Sequence, residues 1–196
     1  MFFKALFRKF GFSQPDPAAL SLYRTAVQAA RQVEFFTDLG VPDTVDGRFD
    51  MISLSVSLVN RRIGLCDPKH AERIQELAQA LFDVMFEDMD INLREFGVSD
   101  EGMKHKIKPM AKAHLGRLKA YTDALTHMDE SERLDAMTEA VTRNIYRGEA
   151  PPKAAQSLAA RATEMSVELD GATDTEVLSG RFVFAADTQA PADTDR

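Results

Sequence analysis

Apolar positions recur every three to four residues along most of the chain, and almost nowhere alternate. Leu22, Ala26, Ala29, Val33 and Phe36 form one such stripe, opened by Asp16-Pro17 and closed by Gly40 and Pro42. That pairing of an N-cap carboxylate with Pro at the first helical position predicts a helix from residue 17 to about 39. Phe49, Ile52, Val56, Val59 and Ile63 form the next stripe, with Asp46 as its expected cap. Met51, Leu54, Leu58 and Leu65 make the opposite side of this second helix apolar too, so it is expected to be central.

Asp67-Pro68 repeats the start signal and opens a long helix to about Phe96, closed by Gly97. Ser99 or Asp100 caps another, to about Thr126, aligning Met103, Ile107, Met110, His114 and Tyr121, with Pro109 inside it. Asp129 and Glu132 read as a capping box ahead of Leu134, Met137, Val141 and Ile145. After Gly148 and Pro151-Pro152 comes a last long helix carrying Leu158, Ala162, Met165 and Leu169, and "SGRFVFA" then reads as a short extended segment. No repeat of 20–50 residues and no strand series is present. The pattern predicts an all-α fold, a single domain of six to seven helices.

Three divisions follow: a basic amphipathic segment over 1–14, a helical domain over 15–170, and a C-terminal extension over 171–196, disordered from about 187. In "MFFKALFRKFGF", Phe3, Phe7 and Phe10 share a face while Lys4 and Arg8 lie on the others, with no acidic residue. Such a helix either lies on an anionic membrane surface or docks its Phe face on the domain. It lacks the uninterrupted apolar run and the cleavage site of a secretory signal. The most apolar internal stretch, "FDMISLSVSLVNRRIGL", is too short and too polar to span a bilayer.

Composition narrows the functions. The 196 residues are 44% hydrophobic and 28% charged, enough for one packed domain. A net charge of −7 removes any global basic field for nucleic acid. One cysteine, Cys66, excludes an intramolecular disulfide framework and reads as a small packed residue near a helix end.

Candidate chemistry is sparse. Asp83, Glu87, Asp90 and Arg94 fall at i, i+4, i+7 and i+11, beside an apolar stripe of Phe82, Phe86, Met89, Leu93 and Phe96. A di-iron bundle needs Glu-x-x-His pairs, which are missing, and "DMDINL" lacks the glycine and the terminal Glu of a calcium loop. The four histidines share no ligand or nucleophile spacing, and there is no phosphate loop. No metal, cofactor or catalysis is expected, and His114 reads as a hydrogen-bonded core residue.

Residues 104–119 carry Lys104, Lys106, Lys108, Lys112, Arg117 and Lys119 with no acidic residue between them. This run pairs with the acidic helix, is solvated, or meets an anionic partner; without interleaved stacking aromatics it does not read bases. Nine methionines supply adaptable apolar surface, either as core or for varied partners.

"FFTDLGVPDTVDGRFDMISLSVSLVNRRI", "LAQALFDVMFEDMDINLREFGVSDEGM" and "KIKPMAKAHLGRLKAYTDAL" together resemble the ubiquinol–cytochrome c chaperone family over about residues 20–127. The resemblance implies a non-catalytic helical assembly factor for respiratory complex III, which binds newly made cytochrome b. In mitochondrial relatives a small partner protein acts beside the ribosome exit. Ser55, Ser57 and Asn60 depart from the pattern, standing where a His or bulky apolar residues are expected. The family domain begins within about twenty residues of Met1, so a bacterial cytoplasmic protein, peripheral to the inner membrane, is expected rather than one with a transit peptide.

On this reading the client surface comprises Phe82, Asp83, Phe86, Glu87, Met89, Asp90, Arg94, Lys108, Arg117 and Tyr121. Phe3, Lys4, Phe7, Arg8 and Phe10 would meet the membrane. The signature loop holds Gly40, Pro42, Asp43, Asp46, Gly47, Arg48 and Asp50. Caps account for Gly40, Pro42 and Asp46. The charges of Asp43, Arg48 and Asp50 are either a structural clasp or a surface shown to the client. The alternative is a helical lipid- or quinone-binding protein, which requires a continuous apolar cavity.

Overall fold

A computed structural model describes residues 16–95, 97–151 and 153–185. The membrane-segment residues Phe3, Lys4, Phe7, Arg8 and Phe10, and the tail from 187, lie outside them. Among the described residues there are eight α-helices and no strand. They are α1 (Pro17–Ala30), α2 (Val33–Thr37), α3 (Val45–Gly64), α4 (Ala71–Glu95), α5 (Asp100–Leu125), α6 (Glu130–Asn144), α7 (Ala154–Gly171) and α8 (Asp174–Leu178). A 3-10 turn, Pro68–His70, leads into α4.

The all-α expectation holds, and α3 is central as its two apolar sides require. Every residue from Phe49 to Val59 is buried. It packs against α1, α4, α5 and α7 and touches α8, while α6 bridges α5 and α7 and α1 also packs on α4. Ser53, Ser55 and Ser57 are buried among these neighbours, and their small side chains let the surrounding helices approach. Two of the hydroxyls are satisfied locally or across the core: Ser57 donates to the Ser53 carbonyl (2.6 Å), and Ser53 Oγ lies 2.9 Å from His114 Nδ1.

Several boundaries follow their signals. Asp16 accepts from the amides of Ala18 and Ala19, with Pro17 opening α1. Asp67 accepts from Lys69, Ser99 from Gly102 and Asp129 from Glu132. Gly97 ends the α4 region with φ +81. Three expectations are corrected. The first helix is two, broken at Arg31–Gln32, which shifts the register so that Phe35 is buried and Val33 is exposed. Thr44, not Asp46, caps α3: its backbone is extended and its hydroxyl accepts from the Gly47 amide at 3.1 Å. The reciprocal capping box is at Thr173–Glu176, where it starts α8, a helix with no apolar stripe long enough to show in the sequence.

Beyond 170 the chain stays on the same core. Val177, Phe182 and Phe184 belong to the one buried cluster that also holds α1, α3, α4 and α7. "SGRFVFA" is not a strand: Ser179 and Gly180 form a turn after α8, residues 181–184 are irregular, and there Phe182 and Phe184 are buried while Arg181 and Val183 are exposed. Arg62 ties this end down: its guanidinium donates to Asp174 (2.7 Å) and to the carbonyls of Leu169 (3.0 Å) and Ala172 (2.7 Å). Asp174 also accepts from the Asp67 amide at 2.8 Å, and these donors pull its carboxyl pKa down to about 2. Arg73 adds a second tie, donating to Asp16 and to the Leu178 carbonyl.

Candidate functional site

The signature loop connects α2 to α3, and the structure gives each of its unusual residues a place. Gly40 has φ +63, and a Cβ there falls 2.9 Å from Pro151 Cγ, so the loop rests against the α6–α7 connector. Gly47 lies so close under the loop that a Cβ would run into the Pro42 carbonyl oxygen. Val41 is buried between them, and Tyr146 reaches the same loop by donating to the Leu39 carbonyl at 2.8 Å. Arg48 donates to Asp43 at 2.6 Å, an exposed clasp across the first turn.

Asp50 differs from its neighbours because α3 carries it inward. Its side chain is 1% exposed. Arg117 of α5 meets one carboxylate oxygen at 2.6 Å, and Arg147, just past α6, meets the other at 3.0 Å. Arg117 also sits 5.5 Å from the centroid of the Phe49 ring, a cation–π contact. Burial pushes the Asp50 pKa up to about 6, against the pull of the two guanidinium groups. Arg147 holds left-handed backbone, φ +55. One carboxylate thus joins the start of α3, the middle of α5 and the end of α6. The sequence marked Asp50 and Arg117 without pairing them, and nothing in it marked Arg147.

Beside this clasp, His114 is sealed in the core between Ser53 and the rings of Phe82 and Phe86, at 5.9 and 6.1 Å. Burial, and then the charge of Arg117, lower its pKa to about 4, so it is neutral at neutral pH. The expectation of a core histidine stands.

The residues expected at the client surface divide sharply. Phe82, Phe86 and Met89 are buried, with the two Phe rings 4.6 Å apart, and Tyr121 is buried with a raised hydroxyl pKa. Arg117 turns inward to Asp50. Phe82, Phe86 and Met89 are core because α4 lays its apolar stripe against its neighbours, and Tyr121 joins the same core from α5. An open apolar groove along that stripe is therefore not what this conformation presents. Asp83 and Glu87 are exposed, and Asp90 accepts from Arg94 at 2.6 Å along the same outer edge. Asp83 also accepts from Gln79 at 2.8 Å. Lys106, Lys108 and Lys112 are exposed on α5, while Lys119 pairs with Asp123 of its own helix. The exposed large apolar side chains, among them Val33, Leu65, Ile91, Leu115, Met128 and Val167, belong to several different elements and connections.

An open depression of about 460 Å³ lies outside Arg147, lined by Glu139, Thr142, Arg143, Arg147 and Gly148. It lies open to solvent, whereas an isoprenoid site encloses most of its ligand. Among the described residues no group of three His, Cys, Asp or Glu is placed to hold a metal ion. Among the same residues no helix is long and apolar enough to cross a membrane.

The family model described as "Ubiquinol-cytochrome C chaperone" matches residues 37–184, from the end of α2 to the buried Phe184. The fold is also that of a crystal structure of the Cbp3 homolog from Brucella abortus. The two are 30% identical, the match covers 97% of this chain and 100% of that one, and the TM-score is 0.73. Among curated proteins nothing matches significantly. The chain belongs to the ubiquinol–cytochrome c chaperone family. The match takes in α6, α7, α8 and the C-terminal run, well past the 20–127 span in which the resemblance is visible by eye.

Proposed function

We propose that this protein is a non-catalytic assembly factor that holds newly made cytochrome b while the ubiquinol–cytochrome c reductase complex is built. Family membership over residues 37–184 is the observation that carries this reading. The outer edge of α4 and α5, with Asp83, Glu87, Asp90, Arg94 and Lys108, offers charges that orient a client segment. Phe82, Phe86 and Met89 contribute when the client draws α4 and α5 apart, since in the closed conformation they are buried. Moderate affinity suits such a site, because the client has to be released.

A nucleophilic role for the Ser53–His114 pair finds no support, because both residues are shut away from solvent and no substrate reaches them. The basic Phe-rich segment over residues 1–12 would bring the domain to an anionic membrane surface, where cytochrome b is inserted. A ribosome contact or a small partner protein, as in mitochondrial relatives, would add to this but is not required by it. Deleting residues 1–12 should move the protein from the membrane fraction to the soluble fraction; unchanged partitioning would remove that part of the proposal. Cells lacking the protein should lose spectroscopically detectable cytochrome b while its transcript persists. Normal cytochrome b in such cells would sink the proposed function.

A further inference from the structure

The run over residues 180–185, irregular at 181–184 with alternate side chains buried, is held from two helices. Ser21 of α1 donates its hydroxyl to the Gly180 carbonyl at 2.6 Å, and Thr25, one turn on, donates to the Phe182 carbonyl at 3.3 Å. Positions i and i+4 on a helix are about 6 Å apart along its axis, and alternate residues of an extended chain about 6.6 Å. The two hydroxyls are therefore spaced to read alternate carbonyls of an extended peptide. From α7, Glu168 accepts the Ala185 amide at 3.0 Å. Between these anchors Phe182 and Phe184 enter the core with their rings 4.9 Å apart, edge to face, while Val183 between them is about half exposed. Thr25 is buried, and the Phe182 carbonyl is the partner its hydroxyl takes here.

The run itself is lightly tied. Among the described residues the amides of Phe182, Val183 and Phe184 make no hydrogen bond, and no helix or sheet ladder fixes them. A segment with few backbone bonds opens at lower cost than the helices beneath it.

We propose that the groove between α1 and α7 is a peptide-binding site that takes an extended segment with aromatic residues at alternate positions. Residues 180–185 are its resident occupant, and the exchanging partner is an unfolded apolar stretch of a client chain. That this partner is a client rests on the function proposed above; the groove and its occupant do not. The occupant's tether gives it a local concentration in the millimolar range, so a free peptide competes poorly until the occupant is lifted.

Gly180 supplies the lever. Its φ is +74 and a Cβ there falls 2.5 Å from the Ala18 Cα, so Gly180→Ala pushes the run off α1 while leaving both phenylalanines in the chain. A fluorescent peptide of sequence SGRFVFA, measured by anisotropy against full-length proteins, is expected to bind Gly180→Ala at least tenfold more tightly than wild type. Thr25→Val in that background should weaken binding, and a peptide with both phenylalanines replaced by serine should not bind. Equal binding by wild type and variant, or binding of the serine peptide, overturns the proposal. Should the variant not fold, the wild type answers alone. The same peptide with a photo-crosslinker at the second phenylalanine, in millimolar excess, should label α1 around Ser21–Thr25 and α7 around Glu168. Labelling elsewhere, or none, overturns the proposal. No cytochrome b enters this assay, so its failure removes the groove and leaves the assembly role standing.

Discussion

His114 is a buried base whose protonation the fold opposes. Its pKa falls from the ordinary 6.5 to about 4, so the stability tied to its neutral form is complete above 6.5 and is lost as pH falls toward 4. From pH 7 to pH 5 that loss is about 2 kcal/mol. Asp50 runs the other way: its raised pKa, about 6 against 3.8, lets the folded state gain a proton first as pH drops. The two partly cancel in the wild type, so the effect is best read as a difference. His114→Gln should be less stable than wild type at pH 7, and the gap should narrow by about 2 kcal/mol at pH 5 in urea titrations. A gap that does not change with pH would show that His114 is not held neutral. Asp50→Ala leaves Arg117 buried without its carboxylate and should cost about 3–5 kcal/mol. Arg48→Ala removes only the exposed pair with Asp43, so its urea midpoint should match wild type. Loss of client binding by that stable variant would assign Arg48 to the contact surface.

At the scale of elements, the α2–α3 loop shows how much packing can rest on one absent side chain. Gly47→Ala sets a methyl group against the Pro42 carbonyl, and thermal unfolding should report a loss of about 2–3 kcal/mol. An unchanged midpoint would mean that the loop yields freely, and that its composition serves contact rather than packing. The long helices were legible because each repeats its apolar residues over several turns and carries a cap. The break at Arg31–Gln32 was not, since no Gly or Pro marks it. Nor was α8, five residues long with a single buried apolar side chain, Val177. In "SGRFVFA" the alternation was visible but its meaning was not: Phe182 and Phe184 alternate because one face of the run meets helices, not because it joins a sheet. The site was less legible than the fold. Asp50–Arg147 and Arg62–Asp174 join residues about a hundred positions apart, and no local spacing encodes such pairs. The apolar stripe on α4 was found correctly, but a stripe reads the same whether the protein or a client covers it.

For the whole molecule, the ties that close the fold run from its end to its middle. Arg62 to Asp174, Arg73 to Leu178 and Ser21 to Gly180 bind the last described stretch to α3, α4 and α1. The family match likewise reaches residue 184, and Phe182 and Phe184 share the buried cluster of the helices. On the proposed function, a domain with this closed core and charged outer edge would reach a client by local opening. The central claim is that the client is cytochrome b. Affinity capture of the full chain from a membrane extract in mild detergent, read by mass spectrometry, tests it most directly. The account predicts recovery of cytochrome b, enriched when later complex III subunits are withheld. Recovery of the protein without cytochrome b under those conditions would contradict it.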